Sequence, residues 1–386
     1  MVSWEYPPLV VGGIASHVEG LATAMARAGH EVVVCSLHHP DEPVDRLVDG
    51  VRVLRADATL PWLPDHNPVA RMASANHQMV QCAAALGEWR PDVVHAHDWL
   101  TAWAGDTLKA LFGVPLVATV HATERGRHGG HVPMGVPGEI NSVEWWLTYQ
   151  AREVIACSQF MVREVIDGFD LPPDKVHLVP NGVDVQRWRS VRATSAGVDG
   201  VDRVDGEPLV VAWGRIQYEK GFQVLVSAMR ELRSRSAGAR CVIAGRGTYL
   251  PELQTHIDME GVGDIVQLAG FVPDGELREL LQRAACVVIP SLYEPFGIVA
   301  LEGMAAGAPT VVARTGGLAE IVDGSGAGLL FEPGNHHDLA DRIADVLHQP
   351  HTADALRERA AGLLERTYSW DAIAAATVDV YRRARS

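Results

Sequence analysis

Two carboxylates flank a Pro-Phe-Gly turn in Ser291-Leu-Tyr-Glu-Pro-Phe-Gly-Ile-Val-Ala-Leu-Glu302. The apolar, β-branched run Ala285-Cys-Val-Val-Ile-Pro290 before them reads as a strand. Glu294 therefore falls in a turn after a strand, and Glu302 inside a helix that starts over the strand's carboxyl end. Open α/β sheets bind ligands in that position. The first turn of such a helix offers unbonded N–H groups and a positive partial charge, which suit a phosphate. Glu302 lies too far along to cap the helix and shares a face with Val, Ala and Leu. A carboxylate there needs a partner, and ligand hydroxyls are suitable ones.

A second candidate is Trp213-Gly-Arg-Ile-Gln-Tyr-Glu-Lys-Gly221, again between a strand and a helix. Arg215 brings a fork of donors and Lys220 a compact point charge. Two cations in one loop suit a diphosphate better than a single phosphate, although the Walker order G-x-x-x-x-G-K-[ST] is absent. Gly12-Gly13 before a helix permits close backbone approach of a phosphate or sugar. Ala244-Gly-Arg-Gly-Thr248 and Arg314-Thr-Gly-Gly-Leu318 repeat the strand, glycine, helix order, and packing alone accounts for each. In His95-Ala-His-Asp98 the two histidines share a face of a strand, as in metal-dependent hydrolases. The second half supplies no further His or Asp at strand ends to complete such a set, so no metal site is expected. His121 ends the run Thr119-Val-His121 and is expected to point into a cleft.

The elements that position these loops alternate strand and helix twice. Before the linker they include Ile14–Ala28 (helix, closed by Gly29), Glu31–Cys35, Val69–Trp89 (helix), Asp92–His95, Pro115–His121, Glu153–Cys157 and Val176–Val179. After it come Leu209–Trp213, Arg240–Ala244, Ile265–Leu268, Cys286–Pro290 and Thr310–Ala313. Strands that are short and apolar on both faces predict parallel sheets covered by helices on both sides. A full strand should precede the Gly12-Gly13 loop, yet only Met1–Trp4 is available. Either that strand is very short or the start lies upstream. The expected organisation is an N-terminal acceptor-side domain over 1–190, a linker over 191–207, a donor-binding domain over 208–368 and a helix over 369–386. That helix has the option of packing back on the first domain. Two Rossmann-like, doubly wound α/β domains facing a central cleft are expected.

Composition limits the function classes. At 386 residues, with 47% hydrophobic and 21% charged residues, the chain is a packed globular protein of more than one core. A net charge of −15 lacks the basic footprint of a nucleic-acid binder. No run is long and apolar enough to span a bilayer, and Met1-Val-Ser-Trp-Glu5 lacks the basic start of a signal peptide. The five cysteines, Cys35, Cys82, Cys157, Cys241 and Cys286, form no C-x-x-C pair. They are expected as reduced thiols in a cytoplasmic protein.

Taken together these residues resemble the retaining glycosyltransferases of family 4, of GT-B fold, with kinship to glycogen and starch synthase-like enzymes. The resemblance runs through Trp4-Glu-Tyr-Pro-Pro8 with Gly12-Gly13, His95-Ala-His-Asp-Trp99, Val120-His-Ala-Thr123 and Pro180-Asn-Gly-Val-Asp184. It continues in Gly214-Arg215 with Lys220-Gly221, and Glu294…Glu302 matches the family's E-x7-E signature. Within the family, His-Ala-His-Asp-Trp and Thr123–His128 look like the actinobacterial α-1,4-glucan synthases. The resemblance implies that Arg215 and Lys220 hold the donor diphosphate. It gives Glu302 to the ribose, and Glu294 with the amides of Phe296, Gly297 and Ile298 to the sugar hydroxyls. His121 would line the reacting face, Gly13 would let the first domain close on donor and acceptor, and Asp98 would orient the acceptor hydroxyl. Arg246 and Val272, beside Phe271, are the expected base contacts.

The implied reaction moves a hexose, glucose by preference, from UDP-glucose or ADP-glucose to an oligo- or polysaccharide. It forms an α-glycosidic, α-1,4 bond by front-face substitution, with no cofactor and no metal. GDP-mannose also fits a phosphate- and ribose-binding loop. The alternatives are a nucleotide-sugar epimerase on the same fold, or a mannosyl or other family 4 transferase acting on a lipid or small molecule. A metal-dependent hydrolase built on His95 and His97 is a weaker rival, which metal analysis and chelator sensitivity would decide, and the full diphosphate-binding set argues against a non-catalytic sugar-binding protein.

Overall fold

The computed structural model describes residues 1–57, 68–189, 207–235 and 238–386. They divide into one unit of Met1–Gly182 with Trp370–Ser386 and another of Val183–Ser369.

In the first unit the strands are β1 (Val32–Leu37), β2 (Asp45–Val48), β3 (Val51–Ala56), β4 (Val94–His97), β5 (Leu116–Val120), β6 (Glu153–Ala156) and β7 (Val176–Leu178). They run in the orders β1-β3-β2 and β4-β5-β6-β7. All pairs are parallel except β2 with β3. Met1–Ser3 joins the two groups, since Val2 bridges to both Cys35 and Ala96. Val2 N–H donates to His95 O at 2.8 Å and Cys35 N–H to Met1 O at 2.9 Å. The first strand is thus very short but central, and the strand order reverses between it and β4, as in a doubly wound sheet.

The hairpin β2–β3 was not expected from the sequence. It turns on Asp49 and Gly50, both with positive φ (48° and 82°), the conformation that a two-residue Asp-Gly hairpin turn requires.

The second unit holds β8 (Leu209–Trp213), β9 (Arg240–Ala244), β10 (Val266–Gly270), β11 (Cys286–Ile289), β12 (Thr310–Ala313) and β13 (Leu329–Phe331). All are parallel, in the order β10-β9-β8-β11-β12-β13. Val210, Ala212, Ile243, Val288, Val311 and Phe331 are buried in one core with Leu225, Met229 and Leu232 from the helix Phe222–Ser234. The order reverses between β8 and β11. Five strands lie within a residue or two of their expected places, whereas β13 was not expected.

The boundary differs from expectation. Val183–Arg189 belongs with the second unit and not the first, because the helix Val185–Arg189 is tied to the helix Asp274–Arg283. Arg187 pairs with Asp274 at 2.6 Å, and Arg278 and Gln282 donate to the carbonyls of Arg187 and Trp188. Of the expected linker, 191–206 lies outside the described residues.

The helix Trp370–Arg385 packs into the first unit. Its buried Ile373, Ala374, Val380 and Ala384 form a helical stripe against Leu21, Ala22 and Met25 of the helix Gly13–Arg27. Trp370 sits in a notch made by two glycines. A Cβ on Gly20 would lie 2.2 Å from its indole, and one on Gly182 2.7 Å. Trp370→Ala should therefore destabilise the first unit by about 2–3 kcal/mol, somewhat less than a fully buried aromatic truncation. Urea unfolding followed by tryptophan fluorescence checks this, and an unchanged midpoint would show that the notch contributes nothing.

Among the described residues no helix is long and apolar enough to cross a membrane, and no disulfide joins the five cysteines.

Candidate active site

In the second unit the loops after β8 and β11 leave the sheet on the two sides of its switch point. The β8 loop carries Arg215 and a single helical turn, Tyr218–Lys220. The β11 loop carries Ser291 and Glu294 before the helix Ile298–Ala305. Lys220 Nζ donates to Glu294 Oε2 at 2.8 Å, with side chains 20% and 10% exposed. Ser291 Oγ donates to the same oxygen at 3.1 Å. Lys220 thus meets neither its neighbour Glu219 nor bulk water alone. It joins the acidic loop across the switch point. Arg215 is exposed, and among the described residues its guanidinium has no carboxylate partner.

Backbone contacts fix the two loops together. Leu292 N–H donates to Glu219 O at 2.8 Å. Gly221, at φ +69°, presses so closely on Pro290 that an added Cβ would lie 1.9 Å from the Pro290 oxygen. Gly317 N–H, from the next loop, donates to Glu294 O at 3.0 Å. The helix Ile298–Ala305 begins at Gly297. The amides of Gly297 and Ile298 therefore open its first turn, where the helix supplies no carbonyl one turn back, and that of Phe296 stands just before them. The Phe296 ring is buried and packs edge-on against Tyr368, which leaves its backbone as the part able to meet a ligand.

Glu302 lies one turn further along that helix. Burial raises its carboxyl from the ordinary range to about 8, opposed by a hydrogen bond from Trp213. Trp213 ends β8, so Glu302 also belongs to the switch point. Arg246 and Phe271 follow β9 and β10, with the guanidinium 5.5 Å from the exposed Phe271 ring. Val272 beside them is buried. The strand-end loops of this unit thus line up cations, a Lys–Glu pair, a helix start, a neutral carboxyl and an Arg–Phe plate.

The first unit has its own cluster at the carboxyl ends of β4 and β5. Asp98 follows β4 at φ +61°, a strained conformation for a non-glycine residue. Its Oδ1 accepts from His121 N–H at 2.6 Å, so this buried carboxylate holds the end of β5. Asp98 is thus buried, with one carboxylate oxygen on the backbone at the end of β5. His121 Nε2 faces His97 Nδ1 at 3.2 Å, and burial lowers the His121 pKa to about 3, which keeps the ring neutral. His95 does not share in this. It bonds Tyr381 and Thr119, each at 2.7 Å. Gly13 opens the helix Gly13–Arg27, and the loop before it is held by the buried Glu5, which accepts from Gly12 N–H at 2.8 Å.

The sequence reading missed three contributors, Glu5, Trp213 and Ser291, and it missed the buried His17, whose ring lies edge-on to that of His121. His17 was legible as the one titratable side chain among the buried Ala15, Val18, Leu21 and Ala22 of its helix. A cavity of about 330 Å³ lies elsewhere. Val32, Val33, Val93 and Val94 line it at the amino ends of β1 and β4, the edge where doubly wound sheets do not bind ligands.

Doubly wound parallel sheets, one in each unit, and these strand-end loops define a GT-B glycosyltransferase. A profile described as glycosyltransferase family 4 matches residues 11–187, and one described as glycosyl transferases group 1 matches residues 200–363. The chain belongs to this family of glycosyltransferases and is of glycogen synthase-like type. Glycogen synthase of Mycobacterium tuberculosis is 37% identical, over 100% of this chain and 94% of that protein. Alpha-maltose-1-phosphate synthase of Mycolicibacterium smegmatis is 32% identical, over 99% and 98%. The fold is shared with sucrose-phosphate synthase from Thermosynechococcus elongatus, at a TM-score of 0.83 and 23% identity over 99% and 97% of the two chains. It is also shared with the catalytic domain of starch synthase IV from Arabidopsis thaliana, at 0.77 and 17% over 100% and 98%.

Proposed function

We propose that the chain transfers glucose, with retention, from ADP-glucose or UDP-glucose to an α-glucan or related saccharide, forming an α-1,4 bond. The observation that carries this reading is the Lys220–Glu294 pair across the β8/β11 switch point, with Arg215, which has no carboxylate partner among the described residues, in the same loop. A diphosphate offers Lys220 a stronger anion and frees Glu294 for sugar hydroxyls. The similarity to a glycogen synthase and to an alpha-maltose-1-phosphate synthase supports glucose as the sugar.

Cleavage of the anomeric C–O bond leaves its electron pair on a β-phosphate oxygen. Arg215 and Lys220 stabilise that charge where it develops, so the chemistry asks for no metal. The acceptor hydroxyl attacks the same face, and its proton passes to the leaving phosphate oxygen. Glu294 and the amides of Phe296, Gly297 and Ile298 hold the sugar. Glu302 takes the ribose, and Arg246, Phe271 and Val272 meet the base. The neutral His121, fixed through Asp98, lines the reacting face, and Gly13 lets the backbone approach the substrates. Neither glutamate acts as a glycosidase nucleophile, which would need two carboxyls about 5 Å apart around the bond.

Thermal-shift measurements with nucleotide sugars, followed by mass spectrometry of maltooligosaccharides, test the reading. One nucleoside diphosphate glucose should raise Tm and lengthen the acceptor by hexose units. No shift with any nucleoside diphosphate would sink it.

Glu302 adds a pH signature. A group with a folded pKa near 8 is largely protonated at pH 7, and ribose hydroxyls favour its charged form. Donor binding at pH 6–7 should therefore release up to about one proton, and affinity should rise with pH to about 8. Calorimetry in buffers of different ionisation enthalpy measures this. Glu302→Gln should abolish the release, and a buffer-independent enthalpy in the parent would contradict the assignment.

A further inference from the structure

The cluster His17, His97 and His121 contains more nitrogen than the transfer reaction uses. Each of the three offers a ring nitrogen within 4.8 Å of those of the others. His97 Nδ1 and His121 Nε2 stand 3.2 Å apart. Two ligands of a tetrahedral zinc ion, with Zn–N of about 2.0–2.1 Å, lie about 3.3 Å apart, so this pair already has the spacing of such a site.

His17 completes the set. Its ring centroid is 4.7 Å from that of His121 and 5.4 Å from that of His97. The residue is 3% exposed, and among the described residues neither ring nitrogen makes a well-formed hydrogen bond, with the Asn181 side chain as its polar neighbour. A buried imidazole without a well-formed hydrogen bond needs an explanation. The three come from different elements: the first helix, the end of β4 and the end of β5. Asn181, 3% exposed, lies beside His17 with its Oδ1 also unpartnered. That oxygen can accept from the ring N–H of a coordinated His17, the usual outer support of a metal-bound imidazole. Asp98, bonded to the His121 backbone, brings a negative charge close to the site.

We propose that His17, His97 and His121 form a binding site for a divalent first-row transition ion of the zinc type. Three imidazoles select zinc, nickel or copper over the hard ions magnesium and calcium. The fourth position is left for water. Such an ion takes the Nε2 of His121, and so blocks the transfer reaction. This second consequence rests on the role given to His121 above, whereas the site itself does not.

Cobalt(II) titrated into tag-free, chelator-treated full-length protein is the probe, with the visible spectrum as readout. The expected result is one equivalent bound with the intense bands of a tetrahedral ion, displaced by zinc and unaffected by magnesium. His17→Gln should weaken cobalt binding at least tenfold while keeping the parent's circular dichroism and its donor-induced thermal shift, since that shift reports the other unit. His97→Gln serves as a second variant if His17→Gln does not fold. No tetrahedral spectrum in the parent, or the same spectrum in the variants, overturns the site. Zinc should also inhibit transfer reversibly, with EDTA restoring it, and His17→Gln should resist inhibition. Zinc bound without inhibition would keep the site and overturn its effect on transfer. Absence of transfer in metal-free protein would instead count against the proposed function.

Discussion

Lys220→Ala is expected to lower kcat by about 10²–10³-fold, the scale seen when one charge-stabilising donor is removed from a transition state. Among the described residues the ammonium makes a single ion pair, to Glu294 at 2.8 Å, and the side chain is 20% exposed. Its loss leaves the largely buried Glu294 carboxylate with the Ser291 hydroxyl, so stability should fall by about 1–2 kcal/mol, between the values for exposed and fully buried pairs. The same side chain thus has a small effect on the fold and a large one on turnover. Lys220→Arg should not restore the rate, because a planar fork does not reproduce a compact charge in a loop fixed from both sides. Steady-state kinetics with the donor found by thermal shift, alongside thermal unfolding, make the test. A kcat near that of the parent would remove Lys220 from the chemistry.

Gly221→Ala is the largest structural prediction. The residue is at φ +69°, and its new Cβ would fall 1.9 Å from the Pro290 oxygen and 2.8 Å from the Pro290 carbonyl carbon. Both are backbone atoms, so no rotamer change relieves the contact. Either the β8 loop or the β11 loop must move, and with it the Lys220–Glu294 pair. Strain and overpacking together should cost about 3–5 kcal/mol in the second unit. Donor-induced stabilisation should vanish as well. Gly29→Ala separates the two causes. It has φ +91° with nothing within 4 Å of the added atom, and should cost only about 1 kcal/mol. Equal urea midpoints for the two variants would show that the clash is absorbed.

Some of this was legible in the sequence because it is local. Leu209–Trp213, Arg240–Ala244 and Thr310–Ala313 are β-branched runs buried on both sides, and their strands begin and end where the pattern does. The loops with Lys220 and Glu294 could be read singly. Their union could not, because 74 residues separate the partners and strand order alone makes them neighbours. The hairpin β2–β3 escaped notice because β2, Asp-Arg-Leu-Val, is short, half polar and largely exposed, which left the Asp49-Gly50 dipeptide as its clearest signal. The His17 site escaped for a related reason. Its three imidazoles sit on three elements, and no spacing within any one of them announces the cluster.

The seating of Trp370–Arg385 in the first unit has a bearing on synthesis. The second unit has its full sequence once Ser369 has left the ribosome. The first unit, although made earlier, still lacks Ile373, Ala374, Val380 and Ala384 from its apolar interior. Domains emerging from the ribosome ordinarily mature in order from the amino end. Here the order is reversed, and the half of the chain made first is the half that waits. Until the last helix arrives, the surfaces of Leu21, Ala22 and Met25 face water uncovered. A stop codon just before Trp370 would therefore injure residues encoded some 350 codons upstream and leave the neighbouring half intact.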